Sequence, residues 1–179
     1  MMPALDTPRV HLHPCNLNAV DSLCALWREP LVRRFLWDDA IISRQQAQEV
    51  VQAFLEAAAD RGLGLWTLHV TEDPELAGFC ALREIAETSE VELLFGLAPQ
   101  HWGKGLATEA SQAVLRYSFE ELNLPRVWAR TDPPNVASEQ VMRRLGMHPA
   151  TNPSAEKQPL LVYAIDRVEY GEPPSNPGR

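Results

Sequence analysis

The chain has 179 residues, with 24 acidic against 16 basic side chains and a formal net charge of −8 at pH 7. That length suits one domain able to bury a sizeable core, and the acidic balance argues against non-specific nucleic-acid binding, which needs a basic surface. Cys15, Cys24 and Cys80 are too few and too scattered for a disulfide framework or a CxxC zinc site. No apolar run nears the roughly 20 residues of a membrane span and no signal segment opens the chain, so a cytoplasmic protein without a membrane partner is expected.

Met1 to Pro8 reads as a frayed start, and Arg9 to Pro14 alternates as a first strand with His11 and His13 on one face. Such a pair suits a metal, but no third ligand is in reach by sequence, and no metal is expected. A short helix begins at Asn18 or Asp21, sets Leu23, Leu26 and Trp27 on one side and ends at Pro30. Arg28, Arg33 and Arg34, with Phe35, Trp37, Asp38 and Asp39, form a charged and aromatic connector. Ser43-x-x-Gln46 is a capping box; behind it Ala47, Val50, Val51, Phe54, Leu55 and Ala58 make a core stripe that Gly62 stops. Strands follow at Leu65–Val70 and Leu76–Ile85 around a turn at Glu72-Asp73-Pro74, and a third runs from Val91 to Ala98.

The next stretch, Gln100-His101-Trp102-Gly103-Lys104-Gly105-Leu106-Ala107-Thr108-Glu109, joins that strand to a long amphipathic helix. Two glycines let the loop approach a ligand and take positive φ. The helix start then offers unpaired N–H groups and the positive end of its dipole, a cradle for a pyrophosphate. The P-loop pattern is absent, because Gly105 rather than Ser or Thr follows Lys104. The dinucleotide fingerprint is incomplete, with Thr108 at its third position, which leaves a nucleotide-dependent oxidoreductase as a rival. Ala107, Ala110, Val114 and Tyr117 line one helix face up to the exit at Leu124-Pro125. Arg126–Thr131 is a strand, Asp132-Pro133-Pro134-Asn135 turns into a helix ending at Gly146, and Leu160–Ile165 is a last strand. Residues 8–168 read as one domain and residues 169–179 as a disordered tail.

Gln-x-x-Gly-x-Gly, with Asn135-x-x-Ser138 and Arg144-Leu145-Gly146-Met147 after it, resembles the GNAT superfamily of acetyl-coenzyme A-dependent N-acetyltransferases. Within it, the likeness is to the Rim-type branch, which acetylates ribosomal-protein N-termini. The resemblance covers Pro8 to Ile165. It implies an α/β single-domain GNAT fold: a mixed, mostly antiparallel sheet, splayed at its centre, with helices on both faces. It also implies acetyl-coenzyme A as cosubstrate, an amine acceptor (a peptide N-terminus or a small molecule) and a monomer or homodimer. Carried over, Gln100 and the loop residues Trp102, Gly103, Lys104, Gly105, Leu106 and Ala107 hold the pyrophosphate. Phe95, Gly96 and Leu97 pair with the pantetheine arm through their main chains. Asn135 bonds the pantetheine amide or simply caps its helix, and Arg143 or Arg144 reaches the 3′-phosphate side or stays solvated. The connector lines the acceptor side of the cleft or is a solvated charge run. Gly96 marks a bulge, or only a packing need.

For chemistry, Glu92 is the candidate base, with Glu90 on the same face a weaker substitute; alternatively Glu92 is a strand-end carboxylate at the solvent edge. Alternation sets Glu92, Leu94 and Gly96 on one strand face, where an apolar neighbourhood is expected to raise the carboxyl pKa. Ser138 is the candidate acid, because the Tyr common in the wider family is Met142 here; alternatively its hydroxyl caps backbone amides. Glu156 stands near the second glutamate of Rim-type enzymes, but the segment is too short to carry the role over. A non-catalytic coenzyme-binding domain is the remaining alternative.

Overall fold

The computed structural model describes residues 2–71, 73–155 and 159–170. Eight strands, β1 (Leu5–Asp6), β2 (Val10–Pro14), β3 (Leu65–Val70), β4 (Asp73–Glu84), β5 (Val91–Leu97), β6 (Arg126–Thr131), β7 (His148–Pro149) and β8 (Leu161–Asp166), form one sheet in the order β1-β2-β3-β4-β5-β6-β8-β7. All neighbours are antiparallel except β5 and β6, which run parallel and meet at a single pair, Glu92↔Trp128. Beyond that pair the two strands no longer bond, and the sheet opens at its centre.

Five helices cover the sheet: α1 (Val20–Arg28), α2 (Pro30–Arg33), α3 (Arg44–Arg61), α4 (Leu106–Glu120) and α5 (Val136–Arg144). Strand alternation gives the sheet two apolar faces. Val91, Leu93 and Leu97 of β5 pack with Ala110, Val114 and Phe119 of α4 in one core. Phe79 and Ala81 of β4 pack with Leu23, Trp27, Ala47 and Val51 of α1 and α3 in the other, with Leu94 against them. The three cysteines are buried and free.

Local signals place most helix ends. The Ser43–Gln46 capping box forms in both directions, and Gly62 closes α3 in the left-handed conformation at φ 72°. α1 stops before Pro30 as expected, and the proline then opens a further short helix, α2, in whose first turn its missing N–H costs nothing. The expected turn at Asp73-Pro74 is displaced, since both residues already belong to β4.

The N-terminus is docked rather than frayed. Leu5–Asp6 pairs with β2, Met2 is buried, and the Trp66 indole donates to the Pro3 carbonyl at 2.9 Å. Met2 fills the space left by Gly64, where a Cβ would lie 2.3 Å from its sulfur. The expected tail falls mostly at residues 171–179, and Glu156 lies with it outside the described residues.

Candidate active site

The gap between β5 and β6 opens into a cleft of about 510 Å³ that reaches the start of α4. Leu93 to Leu97 line one side and Arg130 and Thr131 the other. The loop contributes His101, Trp102, Gly103, Gly105, Leu106, Ala107 and Thr108, and α5 adds Asn135, Ser138, Met142 and Arg144.

Gly103 and Gly105 stand at φ 72° and 77°, in the region that only glycine enters without strain. A Cβ at Gly103 would meet nothing within 4 Å, so that side of the loop is open. Gly105 is the N-cap of α4 and brings no side chain to cap it. Among the described residues, nothing accepts from the amides of Gly103, Lys104, Gly105, Leu106, Ala107 or Thr108. The Thr108 hydroxyl is also buried without a partner. Unpaired donors at the positive end of a 15-residue helix suit a pyrophosphate.

Two expected loop contacts change. Gln100 sits exposed in a short 3-10 turn and does not line the cleft. Lys104 lines it neither, and its carbonyl accepts from Arg9 Nη1 at 2.9 Å. His101 and Thr108 take part instead; no sequence signal set them apart from core residues.

Along β5 the hydrogen-bond parity is fixed at both ends. Ala98 N donates to Ala77 O at 2.9 Å, Ile85 N donates to Glu90 O at 2.8 Å, and the register between them is unbroken. Even-numbered residues therefore turn their main-chain groups toward β4, and Leu93, Phe95 and Leu97 turn theirs into the gap. Phe95 opens its main-chain groups to the gap. Gly96 does not, since its N–H and C=O face β4. The strand carries no bulge there, and the glycine makes room for Phe79, whose Cε1 would be 2.6 Å from an added Cβ. The Leu97 carbonyl already accepts from the Trp102 indole at 2.8 Å.

Glu92 departs most from its expected character. Its side chain is 3% exposed, yet it accepts from Arg83 Nε at 2.7 Å and from Arg130 Nε and Nη2 at 2.8 and 3.1 Å. Burial alone pushes its pKa up. The Arg130 hydrogen bond and the charges of Arg83 and Arg130 outweigh it and hold the carboxyl below its ordinary value. The expected rise is thus overturned, and with it the main argument for Glu92 as a general base.

On α5, the Asn135 side chain accepts from Ser138 N at 3.3 Å, so Asn135 is the cap and the Ser138 hydroxyl is not. The Asn135 carboxamide still has its N–H groups to donate. Arg143 is bound to Glu139 at 2.8 Å and lies over the Tyr163 ring, so of these two arginines Arg144 is the one that lines the cleft.

A second cavity of about 240 Å³ adjoins the first, and Phe35, Leu36, Phe79, Leu94, Arg130 and Thr131 border both. Trp27, Trp37, Phe54 and Glu92 line its inner end. The connector after α1 thus divides: Phe35 to Asp38 line this cavity, while Arg33 pairs with Asp39 at 2.8 Å. Burial pushes the thiols of Cys15 and Cys80 up to about 11 and 12, far from the thiolate form a nucleophile needs. Among the described residues no cluster fit for a metal ion occurs, and no helix is long and apolar enough to cross a membrane.

A parallel pair of strands thus parts beside a helix start with unpaired amides, and a second cavity borders the opening. The model of the acetyltransferase (GNAT) domain matches residues 9–148, and the chain belongs to that family of acetyltransferases, whose members use acetyl-coenzyme A. It is 30% identical over 145 residues to the uncharacterized N-acetyltransferase p20 of Bacillus licheniformis, covering 80% of this chain and 82% of that protein. The crystal structure of an acetyltransferase from Agrobacterium tumefaciens superposes with a TM-score of 0.82 at 25% identity, over 92% of this chain and 95% of that one. RimL, a ribosomal L7/L12 α-N-protein acetyltransferase solved with coenzyme A, shares the fold with a TM-score of 0.77 at 18% identity, over 92% and 98%.

Proposed function

We propose that this enzyme moves the acetyl group of acetyl-coenzyme A directly onto a primary amine, either a peptide α-amine or a small-molecule amine. The observation that carries this is the wall the two cavities share: the cleft lined by the loop before α4 and by β5 has Leu94 and Arg130 in common with the second cavity. In this reading the loop amides of Gly103, Gly105, Leu106, Ala107 and Thr108 hold the pyrophosphate, Arg144 stands on the phosphate side, and Phe95 pairs with the pantetheine arm. Asn135 donates to that arm while capping α5.

The amine enters from the second cavity, and its nitrogen lone pair attacks the thioester carbonyl carbon. A main-chain amide of β5 facing the gap stabilises the oxyanion. As the carbon–sulfur bond breaks, the leaving sulfur takes a proton from water, directly or through the Ser138 hydroxyl, which regains one from water as it donates; the nitrogen, cationic after attack, gives its proton to water. Holding amine and thioester together supplies up to about 7–11 kcal/mol of the barrier. An ionised Glu92 locked between two guanidiniums is a poor proton acceptor, so the amine must arrive neutral. An α-amine, with a reference pKa of about 7.7–8.0, meets that need far better than a lysine at about 10.4.

The test is thiol release from acetyl-coenzyme A with a panel of peptides and small amines. Turnover with at least one α-amine at neutral pH is expected. Tight coenzyme binding without acetylation of any amine would replace this function with that of a binding domain.

A further inference from the structure

We propose that Arg9, at the start of β2 and outside the cleft, is the positioning residue that aims the coenzyme loop. This inference rests on the pyrophosphate-cradle assignment above. Its guanidinium makes two kinds of contact. Nε and Nη2 each lie 2.6 Å from Glu109 Oε2 in the first turn of α4, and Nη1 donates to the Lys104 carbonyl at 2.9 Å. Glu109 Oε1 is held as well, by the Arg9 main-chain N–H at 2.9 Å and the Thr7 hydroxyl at 2.7 Å.

The Lys104 contact decides which way the loop points. The Lys104 carbonyl and the Gly105 N–H belong to one planar trans peptide and face opposite ways. Drawing the carbonyl outward onto Arg9 therefore turns the Gly105 N–H to the other side, toward the cleft that Gly105 lines. Left alone, that peptide would flip easily, because a flip changes chiefly the Lys104 ψ and the Gly105 φ, and glycine tolerates either sign. The flipped plane would present a carbonyl oxygen to the phosphates in place of a donor. The glycine that makes the cradle possible also makes it ambiguous, and Arg9 removes the ambiguity.

The Glu109 contact serves the same end. A carboxylate in the first turn suits the helix dipole but repels an incoming anion. Burial pushes its pKa up, but the hydrogen bonds from Thr7 and Arg9 and the Arg9 charge together outweigh this and hold the carboxyl below its ordinary value.

The experiment compares wild type, Arg9→Lys and Arg9→Ala with two acetyl donors, acetyl-coenzyme A and S-acetyl-pantetheine, which lacks the pyrophosphate. Lysine keeps a cation at Glu109 but cannot also reach the Lys104 carbonyl. Arg9→Lys should keep the wild-type melting temperature within about 2 °C, raise KM for acetyl-coenzyme A about ten-fold and leave kcat within about three-fold. Its kcat/KM with S-acetyl-pantetheine should stay at the wild-type value. Arg9→Ala should lose more affinity for acetyl-coenzyme A, again with the pantetheine donor spared. An equal loss with both donors would overturn the proposal, because a merely structural arginine would produce it. Unchanged KM in folded variants would overturn it too. A wild type that binds no coenzyme A at all would overturn the cradle assignment itself, which the variants then could not rescue.

Discussion

The Glu92 carboxylate, at the one point where β5 and β6 pair, accepts at 2.8 and 3.1 Å from the guanidinium of Arg130, two residues beyond Trp128, the strand partner of Glu92. Their side chains are 3% and 9% exposed, so the pair closes the base of the gap in a dry setting. Removing one member of such a pair strands a charge and typically costs about 3–5 kcal/mol. Glu92→Gln is therefore expected to lower kcat/KM by loosening the base of the cleft, by the same factor from pH 6.5 to 9.5. A pH–rate profile of wild type and variant with one accepted amine checks this. A deficit that shrinks as the amine deprotonates would restore Glu92 as a base.

The same pair sets a pH dependence of stability. The folded pKa of Glu92 is below its ordinary value. The stabilisation is thus fully present above the ordinary carboxylate range and is lost as pH falls through the lowered folded value. Urea unfolding at stepped pH should show wild type losing stability below about pH 4.5, with Glu92→Gln less stable at neutrality and flatter across that interval.

Two glycines in the cleft should fail in opposite ways. At Gly96 an added Cβ meets Phe79 and strains the core, so Gly96→Ala should cost about 1–3 kcal/mol in urea unfolding, with coenzyme affinity little changed. At Gly105 there is room, with Arg9 Nη2 at 3.5 Å, but φ is 77°. Gly105→Val should weaken acetyl-coenzyme A binding at least ten-fold in calorimetry, since a β-branched residue resists that backbone. Unchanged affinity in a folded Gly105→Val variant would remove the pyrophosphate from this loop.

Ser138 is free to donate because Asn135 does the capping. Ser138→Ala should lower kcat about ten-fold with coenzyme KM unaltered, since water can protonate a thiolate of reference pKa near 8.5. No change in kcat would assign the proton to water alone.

The docked N-terminus gives a last test. Deleting residues 1–6 removes Met2 from its seat at Gly64 and the acceptor of the Trp66 indole. A buried donor left unpaired costs about 1–3 kcal/mol, so a melting temperature several degrees lower is expected. An unchanged melting temperature would show that this segment contributes nothing to the fold.

What the amino-acid sequence determined by itself was whatever depends on neighbours along the chain. The capping box at Ser43 and the left-handed stop at Gly62 are local hydrogen-bond and φ requirements, and the alternation of β5 is a property of the strand itself. The positive φ of the two glycines before α4 and the unpaired amides after them are likewise local, because a helix start leaves amides unpaired wherever it occurs. Tertiary structure alone decided the rest. Alternation put Glu92 on the right face but says nothing of the charge across the sheet, and Arg130 lies 38 residues away. Arg9 reaches Glu109 over 100 residues, and the first residues look frayed until Gly64 supplies a hole for Met2. Whether a buried carboxylate gains or loses its proton depends on the sum of burial and paired charge, and only the fold brings those charges to it.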